Sequence, residues 1–165
     1  MTTPRTVLRP HLLALLCVAA LAGCQQTPPP AELSPADVTA IRATSERWLT
    51  AVRAGRWDDA AATYTDDAVF WLAGAKFEGR AAIRQFLGGM QAWDTTRGLV
   101  IDEIHGRGDM AFVAGHGTAI PDGGGIPVVV SHYMDIRLRQ ADGSWRYYRD
   151  MVSPVPPATS AKKKG

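Results

Sequence analysis

Cysteine is scarce: the 165-residue chain has two, Cys17 and Cys24, and none beyond. That scarcity excludes disulfide stapling, a cysteine nucleophile and a thiolate metal site from the rest of the chain. Long apolar runs are also lacking. Residues 12–22 form a run of 11, about half of the roughly 20 that a membrane-spanning helix needs. Charge of one sign is missing too, since residues 33–158 carry 13 basic and 15 acidic side chains. A nucleic-acid-binding domain would carry a basic stripe, and this balance argues against that class. The apolar share, 46%, argues against wholesale disorder. The length suits one domain.

What is present begins with an address. Arg5 and Arg9 precede the apolar run, which ends in Leu21-Ala22-Gly23-Cys24. This resembles a signal peptide closed by the bacterial lipobox, in which the cysteine sulfur accepts a diacylglycerol. The resemblance implies lipidation of Cys24 and a membrane contact made by acyl chains. Gln25 stands where an aspartate would retain a lipoprotein in the inner membrane. The implied destination is the cell envelope, at the outer membrane and facing the periplasm. The expected organisation is a signal peptide over 1–23, a lipidated cysteine and Pro-rich spacer over 24–33, one domain over 34–155, and a disordered Lys-rich tail over 156–165.

Within the domain, Ser34-Pro35-Ala36-Asp37 carries the residues of a capping box with proline at the first helical position. Val38, Ile41, Trp48, Leu49 and Val52 then follow helical spacing. A short second helix is expected over 58–64, and a strand over 69–72. A third helix opens at Gly79, with Ile83, Phe86, Leu87 and Met90 on one face. Strands are expected over 99–105, 110–119, 128–139 and 144–152. Helices followed by a meander of strands predict an α+β fold, with helices packed on one face of a curved antiparallel sheet.

The last hairpin has a registrable turn. Ala141-Asp142-Gly143 suits a three-residue loop with glycine in the left-handed region. Arg139 then faces Trp145, Arg137 faces Tyr147, and Asp135 faces Arg149 in a cross-strand ion pair. On the other face Met134 lies by Asp150 and His132 by Val152. The line His132, Met134, Ile136, Leu138 is the more aliphatic, so it is expected to look inward.

Five segments carry a family resemblance: residues 48–56 (WLTAVRAGR), 65–71 (TDDAVFW), 79–86 (GRAAIRQF), 108–114 (GDMAFVA) and 142–151 (DGSWRYYRDM). In this order and spacing the chain resembles the nuclear-transport-factor-2-like superfamily, which includes SnoaL-like cyclases and ketosteroid isomerases. The resemblance implies a cone-shaped fold and a homodimer. It does not extend to isomerase residues. Trp48 stands where the isomerases carry a tyrosine, and Val69-Phe70-Trp71-Leu72 lacks their base aspartate.

His132 and Asp150 are the candidate acid–base pair, because a carboxylate can orient an imidazole and raise its basicity. If the preceding hairpin is symmetric about Gly124, His116 faces His132. With Asp150 the two would form a two-histidine, one-carboxylate set, although no metal and no cofactor are expected. Trp48, Tyr64, Phe70, Trp71, His116 and Tyr148 are the candidate lining of a pocket for a small hydrophobic molecule. Asp66 and Asp67 read as local turn residues. Three functions are therefore expected: a ligand-holding cone, an acid–base enzyme of cyclase, isomerase or hydrolase type, or an assembly module. The last would bind through an exposed sheet face bearing Tyr133, Trp145 and Tyr147.

Overall fold

Ser34 sets the start of the first helix, α1 (Pro35–Arg53), by the capping box expected of it. Its hydroxyl accepts the Asp37 N–H at 3.2 Å, and the Asp37 carboxylate accepts the Ser34 N–H at 3.0 Å. The computed structural model describes residues 29–156. Cys24, the leader, most of the spacer and residues 157–165 of the tail lie outside the described residues. Residues 31–33, expected within the spacer, are attached to the domain. The Ala31 carbonyl accepts the Gly108 N–H at 2.8 Å, and Glu32 bridges to Arg107.

The second helix, α2 (Trp57–Ala62), ends two residues before the expected boundary, because Tyr64 already begins strand β1 (Tyr64–Leu72). A short strand that the sequence did not signal, β2 (Ala75–Glu78), folds back antiparallel on β1. Its turn is Ala73-Gly74, with φ of 50° and 86°. Two residues at positive φ are what a two-residue hairpin requires, and alanine at the first conceals the signal. Helix α3 (Gly79–Gly88) follows, and then the meander β3 (Arg97–Arg107), β4 (Met110–Ala119), β5 (Val128–Arg139) and β6 (Trp145–Pro154).

The six strands form one sheet in the order β2-β1-β6-β5-β4-β3, with the helices on one face. The sheet is mixed and not purely antiparallel as expected. The meander leaves β6 with a free edge, and β1 pairs along it in parallel. Two clusters join helices to sheet. One gathers Val52, Ala60, Tyr64, Phe70, Ile83, Leu87 and Tyr147, and the other Ile41, Ala111, Val113 and Trp145. No helix among the described residues is long and apolar enough to cross a membrane.

The last hairpin turns as predicted. The Gln140 N–H donates to the Ser144 carbonyl at 2.7 Å, and Gly143 has φ 79°. Arg139–Trp145, Leu138–Arg146 and Arg137–Tyr147 are partners. Beyond them the expected register fails, because Tyr148 is a β-bulge. Ile136 pairs with Arg149 and Asp135 with Asp150, one residue out of step. The expected choice of inward face on β5 is also wrong. Asp135 and Arg137 are buried while His132 and Met134 are exposed, so the aliphatic line looks outward. The bulge has the converse effect on β6. Trp145 and Tyr147 point inward before it, and Asp150 is the buried residue after it.

Candidate functional site

The inner face of β5 carries charge because Asp135 and Arg137 match each other. Arg137, fully buried, donates from Nε to Asp135 Oδ1 at 2.7 Å and from Nη2 to Oδ2 at 3.1 Å. Its remaining donors dock helix α1: Nη1 reaches the Ile41 carbonyl at 2.6 Å, and Nη2 the Ser45 hydroxyl at 2.9 Å. The guanidinium also lies 4.2 Å from the ring centroid of Tyr147, close enough for a cation–π contact. This arrangement replaces the expected Asp135–Arg149 pair. Arg149, beyond the bulge, donates instead to the carbonyls of Asp67 and Tyr148.

Asp150 sits directly across from Asp135 and is 6% exposed. Tyr64, from the first residue of β1, donates its hydroxyl to Asp150 Oδ2 at 2.7 Å. The two rings Tyr64 and Tyr147 stack at 4.9 Å. Burial pushes the Asp150 carboxyl up to about 7, and the negative charge of Asp135 adds to the rise. The Tyr64 hydrogen bond and Arg137 oppose it. Burial also raises Asp135, against the pull of Arg137. With both its oxygens on a guanidinium, Asp135 is the carboxylate that keeps its charge, and Asp150 is the one that takes a proton near neutrality. Burial, together with the charge of Asp150, pushes the Tyr64 phenol well above its ordinary range, so it remains a donor.

Asp150, Tyr64, Tyr147, Asp135, Tyr133 and Ser131 form the polar part of a cavity of about 110 Å³ between sheet and helices. Trp48, Phe86, Met90, Trp93, Leu99 and Val152 supply its apolar walls. Trp48 and Trp93 meet edge to face at 5.3 Å. The indole N–H of Trp48 is buried and makes no hydrogen bond among the described residues.

Of the six residues expected to line a pocket, Trp48, Tyr64 and Phe70 line this cavity, and Trp71, His116 and Tyr148 do not. Trp71 lies one residue out of phase with Phe70 and Leu72 and pairs with Met151. Tyr148 is the bulge residue, with its ring 3.5 Å from the Arg149 guanidinium. His116 pairs with His132 across β4 and β5, as the symmetric hairpin predicts, but its Nδ1 bonds Asp102 at 2.9 Å. The structure therefore does not bring His132 to Asp150, since the two occupy opposite faces of the sheet. The same separation breaks up the set His116, His132, Asp150. Among the described residues no three histidine, cysteine or acidic side chains are grouped to hold a metal ion. Trp145 and Tyr147 are buried beneath the helices and Tyr133 is half-buried. They do not form the exposed sheet face expected of an assembly module.

The fold matches known proteins. The model of the SnoaL-like domain matches residues 45–148. The chain belongs to the SnoaL-like family. Among solved structures it resembles a ketosteroid isomerase-like protein from Erwinia carotovora at 24% identity and TM-score 0.60, covering 75% of this chain and all of that one. It also resembles an NTF2-like protein of unknown function from Pseudomonas putida at 23% identity and TM-score 0.59, covering 78% and 94%. A protein with a cystatin-like fold from Nostoc punctiforme matches at 16% identity and TM-score 0.65, covering 76% and 96%. These identities establish the fold. No curated protein matches the sequence.

The inner residues of this SnoaL-like domain that sequence reasoning missed include Asp135, Arg137, Tyr147, Met90 and Trp93. Asp135 and Arg137 left a signal. An acid and a base two residues apart on a strand share a face, and Arg137 opposes the aromatic Tyr147 of the partner strand.

Proposed function

We propose that this SnoaL-like domain holds a small apolar ligand in its cone, with Asp150 and Tyr64 anchoring the ligand's polar group. One observation carries the reading: an aromatic-walled cavity whose polar end is a buried carboxyl–phenol pair. A few convergent polar groups in an apolar concavity are the usual composition of a small-molecule site. A dry apolar cavity of roughly 150 Å³ accepts benzene, so one ring is the appropriate scale here. Trp48 and Phe70 would contact the ring. The test is a titration with benzyl alcohol, followed by tryptophan fluorescence and calorimetry. Saturable binding that disappears in Val152→Trp, with the fold retained by circular dichroism, supports the reading. Equal binding by that variant removes it.

A second reading is acid–base catalysis, favoured by a carboxyl that titrates near neutrality in an apolar site. Asp150 would exchange the proton, with Tyr64 hydrogen-bonded to it. His132 has no part in this version, because it lies on the outer face. Deuterium exchange at the α-carbon of cyclohexanone, compared with Asp150→Asn, is the measurement. No acceleration over the variant eliminates this reading.

The lipobox-like residues support an anchor at Cys24 and a position at the outer membrane facing the periplasm. Labelling with a radioactive fatty acid should mark the protein and spare Cys24→Ser. Equal label in both would end that proposal. The exposed row Met134 and Met151, beside Trp71, supports the homodimer implied by the family resemblance. Light scattering should report a dimer, and a monomer for Met134→Glu. A monomeric native protein would refute it.

A further inference from the structure

We propose that the cavity selects apolar amines, with the ammonium group seated on Asp150 and the hydrocarbon body among the aromatic walls. The inference rests on the reading of the cavity as a ligand site and specifies the chemistry of the ligand.

The argument is one of unmatched charge. Two carboxylates, Asp135 and Asp150, are cross-strand partners on the buried face. One guanidinium serves them, and Arg137 places Nε and Nη2 on Asp135. Its other contacts are the Ile41 carbonyl and the Ser45 hydroxyl. No bond from it reaches Asp150. The only hydrogen-bond donor to Asp150 among the described residues is the neutral phenol of Tyr64, on Oδ2. Oδ1 accepts no hydrogen bond among the described residues, and Asp150 lines the cavity. No lysine, arginine or histidine is among the cavity-lining residues.

A buried carboxylate without a counter-charge is costly, and a cation brought by a ligand relieves that cost. Asp135 repels negative charge at Asp150 more strongly than Arg137 attracts it, so the local field favours a positive guest. The walls favour one as well. Trp48, Trp93, Tyr64, Phe70 and Tyr147 present π-systems, whose faces attract cations. An anionic or acidic ligand would meet two carboxylates and no free cation.

The experiment compares benzylamine, protonated at the pH used, with benzyl alcohol, its neutral counterpart of the same shape. Calorimetry on the native protein at pH 7.5 should give the amine at least about tenfold tighter binding, the scale of one charge-assisted contact. Asp150→Asn should abolish the preference, lowering the ratio of amine to alcohol affinity by about that factor. Alcohol binding as tight as the amine overturns the amine proposal and leaves the cavity reading standing. No saturable binding of either compound overturns both.

A second measurement needs no variant. Asp135, Arg137, Tyr64 and Tyr147 are the titratable groups that face Asp150, and of these Asp150 is the one poised to change charge near pH 6.5. Amine binding at that pH should release protons, read from binding heats in buffers of different ionisation enthalpy. Binding without proton release refutes an ammonium–Asp150 contact.

Discussion

Asp135 and Asp150 face each other across β5 and β6 on the buried side of the sheet, and of the two carboxylates the guanidinium of Arg137 bonds only Asp135. The asymmetry divides two identical side chains into different roles. One is part of the scaffold that docks α1. The other remains available to a ligand or a proton.

The first prediction concerns pH. The Asp150 carboxyl is raised from an ordinary 3.8 to about 7 in the fold, so the folded state holds its proton more firmly than the unfolded chain. Its contribution to stability is therefore most favourable below about pH 4, declines as the pH rises towards 7, and is flat above. At about 1.4 kcal/mol per unit the decline is at most ~4 kcal/mol. Asp37 acts in the opposite sense. Arg139 and Ser34 hold its carboxyl low, so its contribution is lost only on acidification below the ordinary carboxylate range. Urea midpoints at pH 5 and pH 8, compared between the native protein and Asp150→Asn, isolate the share of Asp150. Asp150→Asn should flatten the difference between them and exceed the native protein at pH 8. An unchanged slope would show that Asp150 does not hold a proton near neutrality.

The second prediction concerns the buried pair. Arg137→Met leaves Asp135 as an uncompensated buried charge and removes donors from Ile41 and Ser45. It should cost about 3–5 kcal/mol. Adding Asp135→Leu removes the stranded charge, and the double variant should recover more than half of that loss. Urea denaturation at pH 7 decides between the outcomes. A double variant no more stable than Arg137→Met would mean that the α1 contacts, and not the ion pair, carry the energy.

The strand segments and the turn at Gly143 were legible because they follow from hydrophobic periodicity and turn chemistry, which are local. The site was less legible, for two physical reasons. A bulge at Tyr148 carries no glycine and no other local mark, yet it moves Asp150 from beside Met134 to beside Asp135. The inward face of β5 was assigned by hydrophobicity, which ranks His132, Met134, Ile136 and Leu138 above Asp135 and Arg137. That ranking fails when two charges satisfy each other and a helix backbone, a pairing spread over residues 41, 45, 135 and 137. Trp48 was recognisable as an inner residue because it lies on a helix whose phase has no such interruption, and Tyr64 and Phe70 because they are large aromatics on the apolar strand β1.

The third prediction concerns Gly115, where the backbone lies close to two partners. A β-carbon there would stand 2.1 Å from the Val100 carbonyl oxygen and 2.5 Å from the Tyr133 hydroxyl oxygen. Tyr133 lines the cavity and crosses Gly115 to donate to the Val100 carbonyl at 2.9 Å. The glycine thus holds β3 and a cavity wall in place by taking up no room. Gly115→Ala must displace either the phenol or the β3 backbone, at a cost of about 1–3 kcal/mol. Gly123→Ala is the control, since a β-carbon there meets nothing within 4 Å, and its effect should stay within about 0.5 kcal/mol. Tyr133→Phe loses one hydrogen bond, about 1 kcal/mol, without moving the backbone. If Gly115→Ala is no more disruptive than Gly123→Ala in urea denaturation, the close approach of Tyr133 and Val100 to residue 115 does not hold in solution. If it exceeds Tyr133→Phe, the tight fit at residue 115 holds this wall more firmly than the hydrogen bond does.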